Sequence, residues 1–534
     1  MTVVIGWFVR DYRAMRSSLR RLVPARGWLF CVLGAVLTAT ASLAACVGDE
    51  AASPPNGTTD PGAEAGGPGT DGSSTTTPDG GTPGVDSGCA AAARVDNGAA
   101  LGCGATKTTC DYGCAEPTGM TAAHCRAFDP SGAVEPTDLA VAGVKDFAGH
   151  DLKFFTDTGR ITTSDESTEI RPPNANPLVE EVSSNGIGFR KVADKVGIFQ
   201  FKSFTLQPTA SGDSFEVNSA FGSVAFAIVA SDEIKIEGLL ELGCNYLPFH
   251  PYAPAASAAG SNAPANAQTQ ENGKGTGGGL AGGKALSGNV IAGGGGGGHA
   301  ASGGQGGDGV VPNQALVVGG IGGMAYDDFA FDPPLGGSGG GAGSTAAGGG
   351  GGGALQLVAG KRITIGDGLG PDAGASGVRQ GVNAGGCGGR GGFGTASAGG
   401  GGSGGSIVLE APEVIGKPRS GVASNGGGGG GIGGIDGTTG QNGVITTTPA
   451  TGGPGGNCFG AGGKGGAGSD AIGEKGTAPP SCTVAGQTKY GGGGGGAAGR
   501  VRINTSSGDI TADPTFVISP TGTPAFQKAK IVTR

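Results

Sequence analysis

Short stretches in which apolar and polar residues alternate recur along the chain. Residues 226–236 align without a gap to residues 355–365. Residues 407–415 repeat the pattern over a shorter length, and residues 501–510 repeat it loosely. In each stretch β-branched residues alternate with polar ones, which predicts a strand, a corner and a second strand with one buried face. The chain therefore contains recurring pairs of short strands.

No single stretch can bury its apolar face alone, whereas stacked copies bury one another's faces, as in repeat folds. The alignment places Ala230 beside Ala359. It also brings Leu355, Ile407 and Val501 to equivalent positions, which predicts that they lie in one sheet. We therefore predict an all-β fold of the parallel β-helix or β-solenoid type.

Glycine makes up 121 of the 534 residues, and its runs precede three of the strand pairs, at 348–353, 399–405 and 491–496. Because glycine loses the most backbone freedom on ordering, such runs either stay irregular or pack where nothing larger fits. Residues 385–393 and 452–457 repeat Gly-Gly-X, a three-residue period that suits an extended polyproline II-type helix. We predict long Gly-rich insertions in the solenoid, either polyglycine II-like or looped.

Four stretches stand out beside the glycine runs: Ala354-Leu-Gln-Leu-Val-Ala359, Ser406-Ile-Val-Leu-Glu-Ala-Pro412, Ser424-Asn-Gly-Gly-Gly-Gly429 and Gly496-Ala-Ala-Gly-Arg-Val-Arg-Ile-Asn504, the first two each following a glycine run. Together they resemble a family of glycine-rich, PE-PGRS-like cell-surface lipoproteins of myxobacteria. The resemblance implies a location in the cell envelope and a right-handed parallel β-helix, and it implies no activity.

Residues 1–45 are typical of a bacterial lipoprotein signal peptide. Six arginines precede a short apolar core at 28–37, which is too short to span a bilayer stably. Leu43-Ala44-Ala45-Cys46 then resembles a lipobox, and by that resemblance Cys46 carries the lipid. Val47 stands where a retention aspartate would sit, which favours the outer membrane and a surface-exposed body. Ordinary secretion with an incidental cysteine is the alternative.

The composition changes four times along the chain, which predicts five parts. The third part is rich in cysteine. The fourth has alternating segments and half of the phenylalanines, which predicts a cap that covers the first coil or a separate sandwich. The predicted parts are the signal peptide at 1–45, a disordered Gly/Pro/Thr/Ser tether at 46–88, a Cys-rich segment at 89–128, a β-rich cap at 129–243 and a Gly-rich β-solenoid at 244–534.

Cysteines of an exported protein meet an oxidising environment, so disulfides are expected. The cluster before residue 128 holds an odd number, which leaves one cysteine free or paired with Cys244. Zinc binding by Cys110, Cys114, His124 and Cys125 is the alternative, although adjacent ligands suit a tetrahedral site poorly. The disulfide candidates are Cys89, Cys103, Cys110, Cys114, Cys125, Cys244, Cys387, Cys458 and Cys482.

Charge and composition exclude several classes of function. The formal net charge is −9 and no basic stretch is present, which argues against nucleic-acid binding. Ala285 follows Lys284 where a phosphate-binding loop needs serine or threonine, which argues against nucleotide binding. Both tryptophans, Trp7 and Trp28, lie in the signal peptide, so sugar stacking on tryptophan is not expected.

Acidic residues offer few candidates for chemistry. Asp327 and Asp328 are the only acidic pair in the Gly-rich body, and we interpret them as a solvated turn and predict no catalytic residue. Two stretches match a calcium-binding nonapeptide, with Asp308 and Asp470 at the acidic position. Because that motif works in tandem and these copies are isolated, both aspartates are weak calcium candidates.

We therefore predict a non-enzymatic outer-membrane lipoprotein with a structural or adhesive role and no cofactor. Its expected contacts are the membrane, through the lipid anchor, and extracellular polysaccharide or other cells. Two alternatives stay open at this point. One is a polysaccharide lyase or hydrolase built on a β-helix, and the other is a calcium-dependent adhesin.

Overall fold

Residues 86–534 form one compact unit in a computed structural model of the chain. Cys46 and the predicted tether lie outside the described residues. The residues that the structure describes are 93–95, 100–103, 106–109, 112, 114–115, 124–208, 218–244, 271–326, 333–344, 346–368, 380–392, 396–433, 437–456, 459–478 and 487–534, and for 93–109, Cys114 and His124 only the backbone is described.

Regular structure in the described residues is almost entirely β, with one 3₁₀ helix at Pro136–Ala140. The first strands are β1 (Ala93–Val95), β2 (Ala100–Cys103), β3 (Thr106–Thr109), β4 (Cys114–Ala115), β5 (His124–Cys125), β6 (Phe128–Asp129), β7 (Phe147–Gly149), β8 (Leu152–Phe155), β9 (Arg160–Thr163), β10 (Glu169–Arg171), β11 (Glu181–Val182), β12 (Gly188–Val192), β13 (Val196–Phe201) and β14 (Phe204–Leu206). No described helix has the length and apolar character needed to cross a bilayer.

The later strands come in two groups, before and after the long stretch that ends at residue 353. They are β15 (Asn218–Phe221), β16 (Ala225–Ala230), β17 (Glu233–Ile236), β18 (Leu239–Glu241), β19 (Ala354–Ala359), β20 (Arg362–Ile365), β21 (Gln380–Asn383), β22 (Ser406–Glu410), β23 (Glu413–Gly416), β24 (Ser420–Ala423), β25 (Arg500–Thr505), β26 (Thr511–Ala512), β27 (Val517–Ser519), β28 (Phe526–Lys530) and β29 (Val532–Thr533).

Three large sheets hold most of these strands. Sheet A is all parallel, in the order β26-β23-β20-β17-β14-β7. Sheet B has the order β10-β9-β8-β15-β18-β21-β24-β27, and sheet C has the order β11-β12-β13-β16-β19-β22-β25-β28. Sheets B and C are mixed, because each begins with antiparallel strands and continues with parallel ones.

The predicted register between the recurring strand pairs is confirmed. Ala230 lies opposite Ala359 in sheet C. Leu355, Ile407 and Val501 are successive neighbours in the same sheet, and all three are buried. Like side chains therefore stack on like side chains along the sheet, which is how short strands with few apolar residues make a continuous core.

The apolar core lies where the inner faces of the three sheets meet. At its first end the core is aromatic, with the Phe154 ring 5.4 Å from that of Phe199 and 5.0 Å from that of Phe226. Further along it consists of leucine, isoleucine and valine. Phe128 and Val134 cover part of the outer face of sheet C, so that sheet is buried on both sides there.

The predicted β-helix or β-solenoid over 244–534, with Gly-rich insertions and a preceding β cap, is wrong. The strands form stacked parallel and mixed sheets, and strands between residues 147 and 241 belong to the same three sheets as those between 354 and 530. Residues 271–326 and 333–344 contribute no strand. Glycine has no side chain to pack on the face of a sheet, so these glycine-rich segments do not join the three sheets. They pack against one another in what we call the glycine body.

Four inner segments, 293–298, 399–405, 426–431 and 491–499, lie at the centre of this glycine body, and all their residues are buried. Each is hydrogen-bonded through its backbone to six other segments. The backbone N–H groups of residues 293–298 donate to three neighbouring segments in turn, so residues three apart donate to the same segment. The six acceptors, in order, are the carbonyls of Gly307, Ala398, Leu280, Gly304, Gly401 and Gly277. A rotation of three residues per turn is that of a polyproline II-type helix.

Contact on all six sides explains why the inner segments are nearly pure glycine. A Cβ placed on Gly494 would lie 2.0 Å from the carbonyl oxygen of Gly304, and one on Gly400 would lie 2.1 Å from that of Gly295. Neither backbone oxygen can move without breaking its own hydrogen bonds. Segments at the periphery have a free side, and there every third residue is larger, as at Val318, Ile321 and Met324.

Replacing an inner glycine should therefore destabilise the body strongly. We expect Gly494→Ala to lower the free energy of unfolding by on the order of 3 kcal/mol, because the methyl group has no room beside the Gly304 carbonyl. Thermal unfolding followed by circular dichroism measures this. Gly456→Ala is the matched control, since its Cβ would meet nothing closer than 3.5 Å. Equal losses of stability in the two variants would contradict the close packing.

Candidate functional site

The segment 316–326, here called the edge segment, carries large apolar side chains that nothing in the described structure covers. Val318, Ile321 and Met324 are 55%, 61% and 76% exposed. They are separated by glycine pairs that face the interior, so the three-residue turn of the backbone brings all three side chains to one side. Leu280 on the adjoining segment, 41% exposed, lies beside them, because its N–H donates to the Ile321 carbonyl at 2.8 Å.

These four residues, Leu280, Val318, Ile321 and Met324, form what we call the apolar edge. On its inner side the edge segment is hydrogen-bonded to the inner segment 293–298. The N–H groups of Gly320 and Gly323 donate to carbonyls of that inner segment at 2.8 Å. The side chains are therefore displayed on a backbone that is tied down between them. Covering one such side chain completely is worth about 1.5–3 kcal/mol, so the apolar edge is suited to binding.

The backbone of the edge segment also has unused hydrogen-bonding groups. Within the described residues, the N–H groups of Val318, Ile321 and Met324 and the carbonyls of Gly319 and Gly322 have no hydrogen bond. These donors recur every three residues, as do the acceptors. The edge therefore ends a hydrogen-bonded lattice in the way that the outermost strand ends a sheet.

Of the two weak calcium candidates, only Asp308 contacts the edge segment. The Asp308 carboxylate accepts the Gly319 N–H at 2.9 Å, and its other oxygen is 3.6 Å from the Lys475 ammonium. Asp470 accepts the N–H of Ile472 at 3.1 Å. Among the described residues no three metal-ligating side chains come together, so the geometry does not favour calcium at either aspartate.

The structure decides part of the cysteine chemistry. Cys244 is bonded to Cys387, with the two Cα atoms 5.2 Å apart, and not to a cysteine before residue 128. Cys125 is also disulfide-bonded, which removes it from the alternative zinc site. The side chains of Cys103 and Cys114 are not described, and Cys89, Cys110, Cys458 and Cys482 lie outside the described residues, as do Asp327 and Asp328.

Glu241 is an ionisable group that the sequence analysis missed. It ends β18 where sheet B meets the glycine body, and it is only 5% exposed. Its two oxygens lie 3.0 Å from Asn383 Nδ2, and Oε1 accepts the Gly243 N–H at 2.8 Å. Burial raises the pKa of this carboxyl to about 7, and the hydrogen bonds oppose that rise.

Two of the other three buried carboxylates in the described residues, Asp138 and Glu410, bond to several protein groups. Asp138 accepts two hydrogen bonds of 2.6 Å from Arg190, and this pairing raises the pKa of the arginine. Glu410 accepts hydrogen bonds of 2.7 Å from both Gln356 and Asn504. Each carboxylate fastens one part of the fold to another, so these groups are structural.

A buried serine and histidine form the one arrangement in the described residues that resembles a nucleophile with its base. Ser406 Oγ lies 3.5 Å from His299 Nε2, and His299 Nδ1 is 2.7 Å from the Gly404 carbonyl oxygen. Both side chains are fully buried, and Ser406 donates to the Leu335 carbonyl at 2.6 Å. A hydroxyl that is enclosed and already bonded to a carbonyl is not placed to attack a substrate.

The raised pKa of Glu241 predicts a pH-dependent stability. Between its ordinary value of 4.5 and about 7 the unfolded chain releases this proton while the folded chain keeps it, so rising pH lowers the stability. The loss is complete somewhat above pH 7 and amounts to about 3 kcal/mol. We expect Glu241→Gln, which cannot ionise, to remove this part of the fall between pH 5 and 8.5 in denaturant titrations.

The exposed Glu413→Gln is the control for the removal of a carboxylate, and it should keep the pH dependence of the unchanged chain. Parallel stability profiles for Glu241→Gln and the unchanged chain would show that the folded protein does not hold this proton.

Comparison of the chain with family models, with curated proteins and with solved structures found no match. The resemblance to glycine-rich surface lipoproteins therefore stays a prediction. What the protein does has to be argued from its own geometry, in which the apolar edge is the feature best suited to contact with another molecule.

Proposed function

We propose that this chain is a non-enzymatic adhesive protein, held at the outer surface of a bacterium by a lipid on Cys46. The observation that carries the proposal is the apolar edge, where three large side chains at a constant spacing are exposed on a closely packed backbone. Exposed apolar side chains that lie side by side often mark a binding surface.

The construction of the glycine body supports a role in display. The inner segments are hydrogen-bonded to neighbours on six sides, and the peripheral segments are hydrogen-bonded to the inner ones. The backbone that carries a peripheral side chain is therefore held in place. A surface that is already ordered loses less conformational entropy when it binds. This construction suits binding of another molecule at several repeated positions better than catalysis at a single site.

The acidic groups of the described residues support a non-enzymatic role. Three of the buried carboxylates in the described residues, Asp138, Glu241 and Glu410, bond to protein partners as described above. The fourth, Asp151, lies 2.6 Å from His150 Nδ1, and its other oxygen has no hydrogen bond to a described residue. A groove of about 590 Å³ beside Val517 is lined by neutral side chains, among them Gln441, Asn442 and Thr447. A smaller depression holds Asp232 and Glu233, but lysines pair with both of them, Lys361 at 2.6 Å and Lys235 at 3.2 Å.

The adhesive role predicts that a charge on the apolar edge weakens attachment. We compare bacteria that display the full chain with Ile321→Lys and bacteria that display the unchanged chain. On the layer that the unchanged strain binds, we expect the variant strain to be retained about tenfold less. The reason is that burying one isoleucine side chain is worth about 1.5–3 kcal/mol. Retention under flow, counted by microscopy, measures this. The layers tested are the same bacteria, bacteria without the chain and the producer's extracellular polysaccharide.

Ile472→Lys is the matched control, because Ile472 has the same type of side chain, is 59% exposed and lies on another segment. It should leave retention unchanged. Equal retention of all three strains would contradict the role of the apolar edge. Release of reducing ends or unsaturated sugars from polysaccharide by the purified chain would contradict the non-enzymatic role.

A further inference from the structure

A groove of about 590 Å³ lies between the glycine body and the end of sheet B. Residues 441–450 line it on the side of the glycine body, and Val517 of β27, the last strand of sheet B, lines it from the sheet. Its volume is in the range of sites that hold small molecules in other proteins. The groove is therefore large enough for a ligand, and its lining decides which kind of ligand fits.

A buried asparagine holds the lining of the groove in place. Asn425, which is 1% exposed, donates through Nδ2 to the carbonyls of Val444 at 2.8 Å and Thr446 at 2.7 Å. Its Oδ1 accepts a hydrogen bond of 2.6 Å from the Ser519 hydroxyl at the end of β27. One side chain thus fixes residues 444–446 against the strand. A groove that is already ordered loses little conformational entropy when it binds a ligand.

The lining offers polar groups that carry no charge. Each of the described residues that line the groove is uncharged. The side-chain oxygens of Gln441 and Asn442 accept backbone N–H groups at 3.3 and 2.9 Å, whereas their NH₂ groups donate to nothing within the described residues. The exposed Thr447 hydroxyl likewise has no hydrogen bond to a described residue. Two amide donors and a hydroxyl that can donate or accept are therefore free to bond a ligand.

Aliphatic groups lie beside these polar ones, since Val444, Pro449 and Val517 also line the groove. A sugar has the matching surface, with hydroxyls around the ring and C–H groups on its faces. A sugar hydroxyl can accept from an NH₂ group and donate to a threonine, whereas a peptide N–H can only donate, and the amide oxygens of the lining are already used. An anionic ligand would meet no cation in this lining, and the formal charge of −9 on the chain repels it.

We infer that this groove binds an uncharged oligosaccharide, such as a segment of a neutral extracellular polysaccharide. Gln441, Asn442 and Thr447 bond its hydroxyls, and Val444 and Val517 contact its C–H groups. The inference goes beyond the proposed role of the apolar edge and does not depend on it, because the groove and the apolar edge share no residue.

The inference is tested by applying the fluorescently labelled full chain to an array of immobilised oligosaccharides, both uncharged and acidic. The chain should be retained on one or more of the uncharged oligosaccharides. Thr447→Arg, which puts a long side chain in the groove, should weaken this retention on the order of tenfold. Thr447→Val removes only the hydroxyl and should weaken it about fivefold, which is the usual effect of one hydrogen bond. Thr447→Ser keeps the hydroxyl and should be retained like the unchanged chain.

Thr276→Val is the matched control, because Thr276 is an exposed threonine that does not line the groove. It should bind like the unchanged chain, and circular dichroism shows whether each variant has kept its fold. Retention on no oligosaccharide, or on acidic ones alone, would overturn the inference, as would equal retention of Thr447→Arg and the unchanged chain. Ile321→Lys should bind the sugar normally, so the groove and the apolar edge can fail separately. Loss of sugar binding in Ile321→Lys alone would place the sugar at the apolar edge and overturn the inference.

Discussion

The structure depends on one constraint, which is that a backbone without Cβ atoms can hydrogen-bond to neighbours on every side. In the four inner segments this contact occurs on six sides, with carbonyl oxygens of neighbouring chains at positions that a methyl group would need. The entropy lost on ordering so much glycine is offset by hydrogen bonds and close contacts, since little apolar surface is available there. Larger side chains are consequently confined to the periphery.

Two kinds of packing thus coexist in one compact unit. The three sheets are held by a core of stacked phenylalanine, leucine, isoleucine and valine side chains. The glycine body is held by backbone contacts and has almost no side-chain core. They meet at Glu241 and Asn383, and the disulfide between Cys244 and Cys387 joins them close by. A buried carboxyl with a pKa of about 7 at that junction makes its stability sensitive to pH near neutrality.

Local patterns predicted the sheets better than they predicted the fold. Alternation alone aligned Ala230 with Ala359, because equivalent positions of neighbouring strands carry similar residues and their side chains contact each other in the sheet. The β-solenoid with glycine insertions was wrong, since a run of glycine has the same sequence in a loop and in a packed body. The spacing of Val318, Ile321 and Met324 is visible in the sequence, although it shows nothing about exposure.

By itself the sequence determined which residues alternate, which strands align and where glycine excludes side chains, because these properties depend on near neighbours in the chain. Tertiary structure alone decided that the glycine runs bond to one another, that Glu241 is buried beside Asn383 and that the apolar edge is left uncovered. Each of these depends on segments that are far apart in sequence, and burial and hydrogen bonding are properties of the neighbours in space.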